Sequence, residues 1–393
     1  MNTVKQLAVR YYSKIVEYRR HFHQHPELSG QEKNTAEYIC SFLDLLEIPY
    51  QSHVAGYGIV ALLQGEKSEG KTVALRADMD ALPIQEQSDK LYRSQTDGVS
   101  HACGHDLHTA CLLGALHILN DLKSEFGGTV KAIFQPSEEE YAGGAKFMIE
   151  EDVLQNPEVD VIFGLHATPG METGQVGVCG GGMMASTDEL RLHILGKGGH
   201  AALPDEVINP IDMGIEVILK IKDFVNRQNK KNIPTVLTFG RFIAEGKNNV
   251  IPDRTEIAGT LRTVDEEWRS TVLCKLTKIA KTTAENYDGE IVADIRNGYP
   301  MVMNDETVTK RFVKYAQTYL GSENVLNIPL RMTAEDFAYY LQEKPGVFFR
   351  LGTSNTEKGI MQKLHSADFD VDEKSMETGS GLLAWIALQE LKN

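Results

Sequence analysis

Residues 100–119 read SHACGHDLHTACLLGALHIL, a start rich in possible metal ligands that runs into a strongly apolar helix. Three of the chain's 12 histidines fall in the first half of this segment. Cys103 and His105 offer a thiolate and an imidazole, both good ligands for Zn²⁺ and related divalent metals. A buried cysteine beside surface histidines is the alternative interpretation. Only further ligands elsewhere in the chain would favour a metal site.

The strands predicted around this segment end in candidate ligands as well. The apolar run at 72–76 is followed by Asp78 and Asp80, the run at 129–134 by Glu138 and Glu139, and the run at 159–165 by His166. Parallel strands bring their carboxyl ends to one edge of a sheet, where ligands bind in α/β proteins. The alternation of strands and helices predicts an α/β fold with a mixed, largely parallel sheet flanked by helices. The candidate ligands would then meet at one edge.

The link at 65–72, between predicted strands at 58–63 and 72–76, matches the phosphate-loop pattern G-x-x-x-x-G-K-[ST]. A phosphate loop opens a helix whose N-terminus faces the phosphates. Because this link leads straight into a strand, we predict a hairpin turn here instead.

The character of the chain changes after Gly174, and the glycines at 180–182 predict a flexible seam. From Leu190 the pattern predicts strand, helix, strand, strand, helix and strand, which is typical of a small α+β domain. We therefore predict that residues 1–183 and 299–393 form a catalytic domain and that 184–298 form an inserted lid or dimerisation domain.

Composition narrows the functional class. The formal net charge is −15, with a pI of about 5.3, which argues against nucleic acid or an anionic membrane as a partner. The five cysteines are widely spaced and odd in number, so they do not form a disulfide framework. No apolar run has the length of a membrane span. These features predict a cytoplasmic protein.

Several motifs together resemble the metal-dependent aminoacylase and carboxypeptidase family. The similar branch contains hippurate hydrolase, N-acetyl-diaminopimelate deacetylase and the auxin-conjugate amidohydrolases. The motifs follow one another along almost the whole chain: LRADMDALP (75–83), HACGHD (101–106), FQPSEE (134–139), GLH (164–166), GKGGHAA (196–202), NVIPD (249–253), GTLR (259–262), AEDF (334–337) and LHS (364–366).

The resemblance implies a role for each matching residue. The implied ligands of two divalent ions, Zn²⁺ or Mn²⁺ with Co²⁺ or Ni²⁺ as alternatives, are Cys103, His105, Glu139, His166 and His365. Glu138 matches the general base, and Asp80 matches an acidic residue that orients a ligand or the base. We assign His101 and His108 to packing, or to hydrogen bonds behind the ligands.

On the small domain, the resemblance implies that His200 polarises the scissile carbonyl, often across a dimer interface. Asn249 and Arg262 match positions that bind the substrate's carboxylate, and a guanidinium suits that task through its bidentate geometry. A homodimer through the lid domain follows from the same resemblance.

The implied activity is hydrolysis of the amide bond of N-acyl-L-amino acids, of N-acetyl or N-benzoyl type. A metal-bound water would attack, with Glu138 as general base. Two alternatives stay open: a dipeptidase or carboxypeptidase-like metallopeptidase, and a non-catalytic metal-binding homologue. The presence of Glu138 favours an enzyme, because a non-catalytic homologue is expected to lose its base first.

Overall fold

The computed structural model describes residues 1–68 and 70–392, which form two compact units. The larger unit comprises Met1–Met183, Met303–Pro329 and the chain from Asp336 onwards. The smaller unit comprises Met184–Val302 and Leu330–Glu335.

The helices in chain order are α1 (Asn2–Gln24), α2 (Lys33–Leu45), α3 (His105–Asp121), α4 (Gly144–Glu150), α5 (Pro210–Gln228), α6 (Glu266–Asn286), α7 (Glu306–Leu320), α8 (Ala338–Glu343) and α9 (Ser375–Glu390). The strands are β1 (Tyr50–Val54), β2 (Gly58–Gln64), β3 (Thr72–Asp78), β4 (Thr129–Gln135), β5 (Val161–Glu172), β6 (Val176–Val178), β7 (Gly181–Met184), β8 (Ser186–Leu195), β9 (Gly199–His200), β10 (Thr235–Ile243), β11 (Val250–Ile251), β12 (Arg254–Thr263), β13 (Glu290–Asn297), β14 (Val302–Asn304), β15 (Val325–Asn327) and β16 (Gly346–Ser354). None of these described helices is long and apolar enough to cross a membrane.

An eight-stranded sheet, in the order β1-β2-β4-β3-β5-β16-β6-β15, organises the larger unit. Its central strands β4, β3, β5 and β16 are parallel to one another. Every residue of β3 is buried, as expected of a strand covered on both faces. The predicted α/β fold class, with a largely parallel sheet flanked by helices, is confirmed.

The predicted hairpin between β2 and β3 is wrong. Strand β2 pairs antiparallel with β4, and β3 pairs parallel with the other side of β4. The link instead runs past the start of β4, where Gly65 N–H donates to Gly128 O at 2.9 Å. Glu69, within this link, lies outside the described residues.

Helix α3 lies at the centre of a helical layer with α1 and α9. It is buried from His105 to Leu119, which explains why it is apolar on all sides rather than amphipathic. Its N-terminus is therefore fixed by packing on every face. The candidate ligands Cys103 and His105 lie at that N-terminus.

The smaller unit contains a four-stranded antiparallel sheet, in the order β10-β12-β8-β13. Helices α5 and α6 pack on it. Side chains of β8 alternate between buried and more exposed positions, so one face of the sheet is covered and the other is not. The core beneath the helices includes Leu192, Ile194 and Ile221.

Candidate metal centre and active site

The candidate ligands come from the edge of the large sheet at which the parallel strands end. Cys103 and His105 flank Gly104, which has φ +92° and precedes the first residue of α3. This left-handed conformation favours glycine. The turn places the Cys103 and His105 side chains in one group with His166 of β5.

The structure brings all five predicted ligands into two overlapping groups. One group contains Cys103, His105 and His166; the other contains Cys103, Glu139 and His365. Within each group the potential ligand atoms all lie within 4.8 Å of one another. Cys103 belongs to both groups, which is the arrangement that two neighbouring ions would need.

Individual distances show how tightly the donor atoms converge. Cys103 Sγ lies 3.5 Å from His166 Nε2, and His365 Nε2 lies 3.3 Å from Glu139 Oε1. His365 comes from the loop between β16 and α9, and its backbone N–H donates to Ala102 O at 2.8 Å. That hydrogen bond ties the last ligand to the Cys103 segment.

The electrostatics of the group fit bound cations. His105 Nε2 is buried and has no hydrogen-bond partner among the described residues. Burial lowers the pKa of His105, but Asp78, Asp80 and Glu139 outweigh it and raise the pKa to about 10. The position thus favours positive charge, which a divalent ion supplies by displacing the proton. A thiolate, imidazoles and a carboxylate suit Zn²⁺ or Mn²⁺.

The surroundings of the Cys103 thiol also favour a bound cation. Its burial, and the nearby charges of Glu139 and Glu138, raise the pKa of the thiol well above its usual value. A bound cation reverses this effect, since coordination deprotonates a thiol.

Asp80 orients two members of the group. Its backbone oxygen and Oδ1 lie 2.9 and 3.2 Å from His105 Nδ1, so that nitrogen carries the proton and Nε2 stays available as a donor to metal. Asp80 Oδ2 accepts a hydrogen bond from the backbone N–H of Glu139 at 2.9 Å. One carboxylate therefore fixes a histidine and a glutamate together.

Glu138 is buried, with 6% of its surface exposed, next to these ligands. Its Oε2 lies 3.9 Å from His105 Nε2. The adjacent Glu140 is exposed instead. Glu138 and Glu139 also form a third group of potential metal donors with His105, and Glu140 belongs to no such group of the described residues.

His108 lies in a buried polar network behind the ligands, as assigned from the sequence, but its links to Arg76 and Asp336 were not predicted. His108 Nε2 accepts the backbone N–H of Ala167 at 2.8 Å, so Nδ1 carries the proton and donates to Asp78 Oδ1 at 2.6 Å. Arg76 donates to Asp78 and, at 2.7 Å, to Asp336 Oδ1. The available clue was an arginine in the middle of a strand that is otherwise apolar.

His101 is buried but belongs to none of the ligand groups of the described residues. Burial lowers the pKa of its imidazole to about 4. A neutral, packed histidine agrees with the role that we assigned to it.

The other three predicted site residues lie on the smaller unit. His200 on β9 is exposed, and its Nδ1 accepts the N–H of Ala202 at 3.1 Å. Strands β9 and β11 pair His200 with Val250, so Asn249 lies beside His200. Arg262 on β12 donates to Met332 O at 3.2 Å, and burial lowers the pKa of its guanidinium. Their catalytic roles stay predictions.

Comparisons with known proteins agree with the motifs. Residues 74–389 match the family described as Peptidase family M20/M25/M40. The chain is 37% identical over 381 residues to thermostable carboxypeptidase 2 of Saccharolobus solfataricus, covering 95% of each protein. It is 36% identical over 383 residues to N-acetylcysteine deacetylase of Bacillus subtilis, covering 96% of this chain and 97% of the relative.

A solved structure gives the same assignment. The Bacillus subtilis YXEP protein, described as a dinuclear metal binding peptidase from the M20 family, is 33% identical and superimposes with a TM-score of 0.83. The match covers 98% of this chain and 99% of that one. The family resemblance predicted from the motifs is confirmed. The chain belongs to peptidase family M20/M25/M40 and is a hydrolase of amide bonds.

Proposed function

We propose that the protein hydrolyses the amide bond of N-acyl-L-amino acids, of N-acetyl or N-benzoyl type, to a carboxylate and a free amino acid. The observation that carries the proposal is the buried carboxylate of Glu138, 3.9 Å from His105 Nε2 in the candidate metal centre. A ligand set alone would serve a binding protein equally well. A further carboxylate inside the set is what hydrolysis requires.

Cys103, His105, Glu139, His166 and His365 would hold two divalent ions, Zn²⁺ or Mn²⁺, with Co²⁺ or Ni²⁺ as alternatives. Such ions, when bound, supply Lewis acidity that lowers the pKa of water and favours negative charge on a carbonyl oxygen. Asp80 keeps His105 and the backbone of Glu139 in place throughout.

Glu138 handles the protons. Its carboxylate takes a proton from water as the water oxygen bonds to the amide carbon. The protonated Glu138 then gives that proton to the leaving nitrogen as the carbon–nitrogen bond breaks. The burial of Glu138 keeps bulk water from competing for the proton.

The smaller unit would bind the rest of the substrate. His200 would donate to the carbonyl oxygen, and Asn249 and Arg262 would bind the substrate carboxylate.

A homodimer through this unit is the assembly that we infer. In its support, β10 is an edge strand that exposes 40% of Phe242 and 38% of Ile243, and exposed apolar edge strands favour pairing. A cytoplasmic location also stays a prediction.

A carboxypeptidase-like or dipeptidase activity is the second candidate. It is favoured by the 37% identity to a thermostable carboxypeptidase. The attack on the amide is the same, and only the group on the acyl side differs.

The direct test is a substrate panel with protein loaded with Mn²⁺, Zn²⁺ or Co²⁺. N-acetyl-methionine, hippurate and unblocked dipeptides would be compared by the release of free amino acid. We expect the acylated amino acids to have the highest kcat/KM. Faster cleavage of the dipeptides would favour the second candidate, and no turnover of any compound would refute both.

Replacing Arg262 with lysine is expected to lower kcat/KM for N-acetyl-methionine about tenfold to hundredfold. The lost bidentate contact to a carboxylate is worth about 1.5–3 kcal/mol, and about 1.4 kcal/mol corresponds to a factor of ten. The kcat/KM for N-acetyl-methioninamide, which lacks the carboxylate, should differ little between Arg262→Lys and the wild type.

Arg254, which is exposed near the start of the same strand, provides the matched control as Arg254→Lys. An equal loss on the acid and on the amide substrate would show that Arg262 does not bind the carboxylate.

A further inference from the structure

The connector between α1 and α2 contains a buried carboxylate that its own helix does not use. Glu32 precedes the first residue of α2 and has none of its surface exposed. Its side chain makes no capping hydrogen bond to α2. It accepts hydrogen bonds from Ser137 instead, at 2.8 Å from the backbone N–H and 3.4 Å from Oγ.

The capping task at α2 falls to Glu27. Its Oε1 accepts the backbone N–H of Asn34 at 3.1 Å, and its Oε2 accepts that of Thr35 at 2.8 Å. The connector thus carries two glutamates with separate partners. Glu27 accepts hydrogen bonds from the first turn of α2, and Glu32 accepts them from the loop that follows β4.

Ser137 in that loop needs a fixed partner because of its backbone conformation. It has φ +56°, a left-handed conformation that residues other than glycine adopt infrequently. Its N–H is held by Glu32, and its carbonyl accepts the N–H of Gly144 at 2.9 Å. Since Glu138 and Glu139 follow directly, the conformation of Ser137 sets the direction in which both side chains leave the strand.

The connector also reaches the other side of this pair of glutamates. Ser29 Oγ donates to Asp80 Oδ2 at 2.6 Å. The same Asp80 oxygen accepts the backbone N–H of Glu139 at 2.9 Å. Ser29 and Glu32 therefore hold the segment 137–139 at both ends, one through Asp80 and the other directly.

We propose that Ser29 and Glu32 are positioning residues, which fix Glu138 and Glu139 relative to His105 without touching the reacting atoms. The proposal rests on the function proposed above for Glu138 and Glu139. It makes the α1–α2 connector, a segment outside the metal centre, a determinant of metal affinity and of kcat.

The test compares Glu32→Ala, Glu32→Gln and Glu27→Ala in the full chain. Co²⁺ affinity is measured by titration of the apo protein, following the absorbance of the Co²⁺–thiolate complex, beside Tm and the kcat and KM for N-acetyl-methionine. We expect Glu32→Ala to weaken Co²⁺ binding and to lower kcat about 10–100-fold, the usual effect of removing a partner that orients ligands, with KM little changed. Glu32→Gln keeps an oxygen acceptor for Ser137. Its Co²⁺ affinity and kcat should therefore be close to those of the wild type.

Glu27→Ala is the matched control, because it removes a glutamate from the same connector. It should lower Tm but leave Co²⁺ affinity and kcat within about twofold of wild type. If Glu32→Ala does not fold, Ser29→Ala tests the contact made through Asp80 by the same measurements. We expect its Co²⁺ affinity and kcat to fall about tenfold.

Two results would overturn the proposal. One is wild-type Co²⁺ affinity and kcat in Glu32→Ala, or in Ser29→Ala if that variant is the one tested. The other is a loss of affinity and of kcat in Glu27→Ala equal to that of the tested variant. If the wild-type protein cleaves no compound of the panel, the proposed function fails, but the Co²⁺ affinities still decide whether the connector positions the ligands.

Discussion

Replacing Glu138 with glutamine is expected to lower kcat for N-acyl amino acids about 10²–10⁴-fold, the usual contribution of a general base. The amide of glutamine is close in shape to the carboxylate, so the packing around this buried position should persist. The glutamine amide, however, cannot accept a proton from water at neutral pH. The metal content measured on the purified variant should equal that of the wild type, because Glu139 rather than Glu138 is the proposed ligand.

Glu140→Gln provides the control for this experiment. Glu140 carries the same charge two positions later but is exposed and outside the ligand groups of the described residues. We expect its kcat to stay within about twofold of wild type. A large loss in Glu140→Gln with little loss in Glu138→Gln would show that the roles of the glutamates are assigned wrongly.

Replacing Cys103 with alanine is expected to have the second largest effect. Cys103 belongs to both ligand groups, so its loss should weaken both proposed ions at once. We expect Co²⁺ affinity to fall more than about 100-fold, beyond the 10–100-fold usual for partners that only orient ligands, and hydrolysis to fall with it. Isothermal titration of the apo variant with Co²⁺ or Zn²⁺ measures the effect.

Cys111→Ala makes the same chemical change within α3. Cys111 is fully buried, and burial raises the pKa of its thiol, but it lies in none of the ligand groups. Any loss of stability that comes from deleting a buried sulfur should appear in this control too. Equal metal affinity in the two variants would argue against Cys103 as a ligand.

Local patterns predicted that candidate ligands meet at one edge of the sheet, and the family resemblance assigned the role of each. Apolar runs mark β3, β4 and β5, and the polar residues that follow each run are the ones that converge. Because these strands are parallel, their ends bring Asp80, Glu138 and His166 to one edge of the sheet. His365 is different. Its surroundings in the sequence show only a histidine in a loop, and the family resemblance was needed to identify it.

Contacts between distant segments could not be predicted in this way. The hairpin between β2 and β3 was wrong because β4, formed by residues much later in the chain, pairs between them. The ion pair of Arg76 with Asp336 joins residues 260 positions apart. The hydrogen bond from Ser137 to Glu32 likewise spans 105 positions. Periodicity reports which face of an element is buried, and it does not report which charged group from another element meets it.

We infer that amide hydrolysis by this chain depends on two metal ions held at the site of Cys103, His105, Glu139, His166 and His365. The most direct measurement is hydrolysis of N-acetyl-methionine by metal-free protein titrated with Mn²⁺, Zn²⁺ or Co²⁺. We expect no turnover without metal and a rise in activity that levels off near two ions per chain, the stoichiometry of a dinuclear site. Glu138→Gln should bind the same number of ions and stay nearly inactive. Full turnover by the metal-free protein would show that hydrolysis does not depend on these ions.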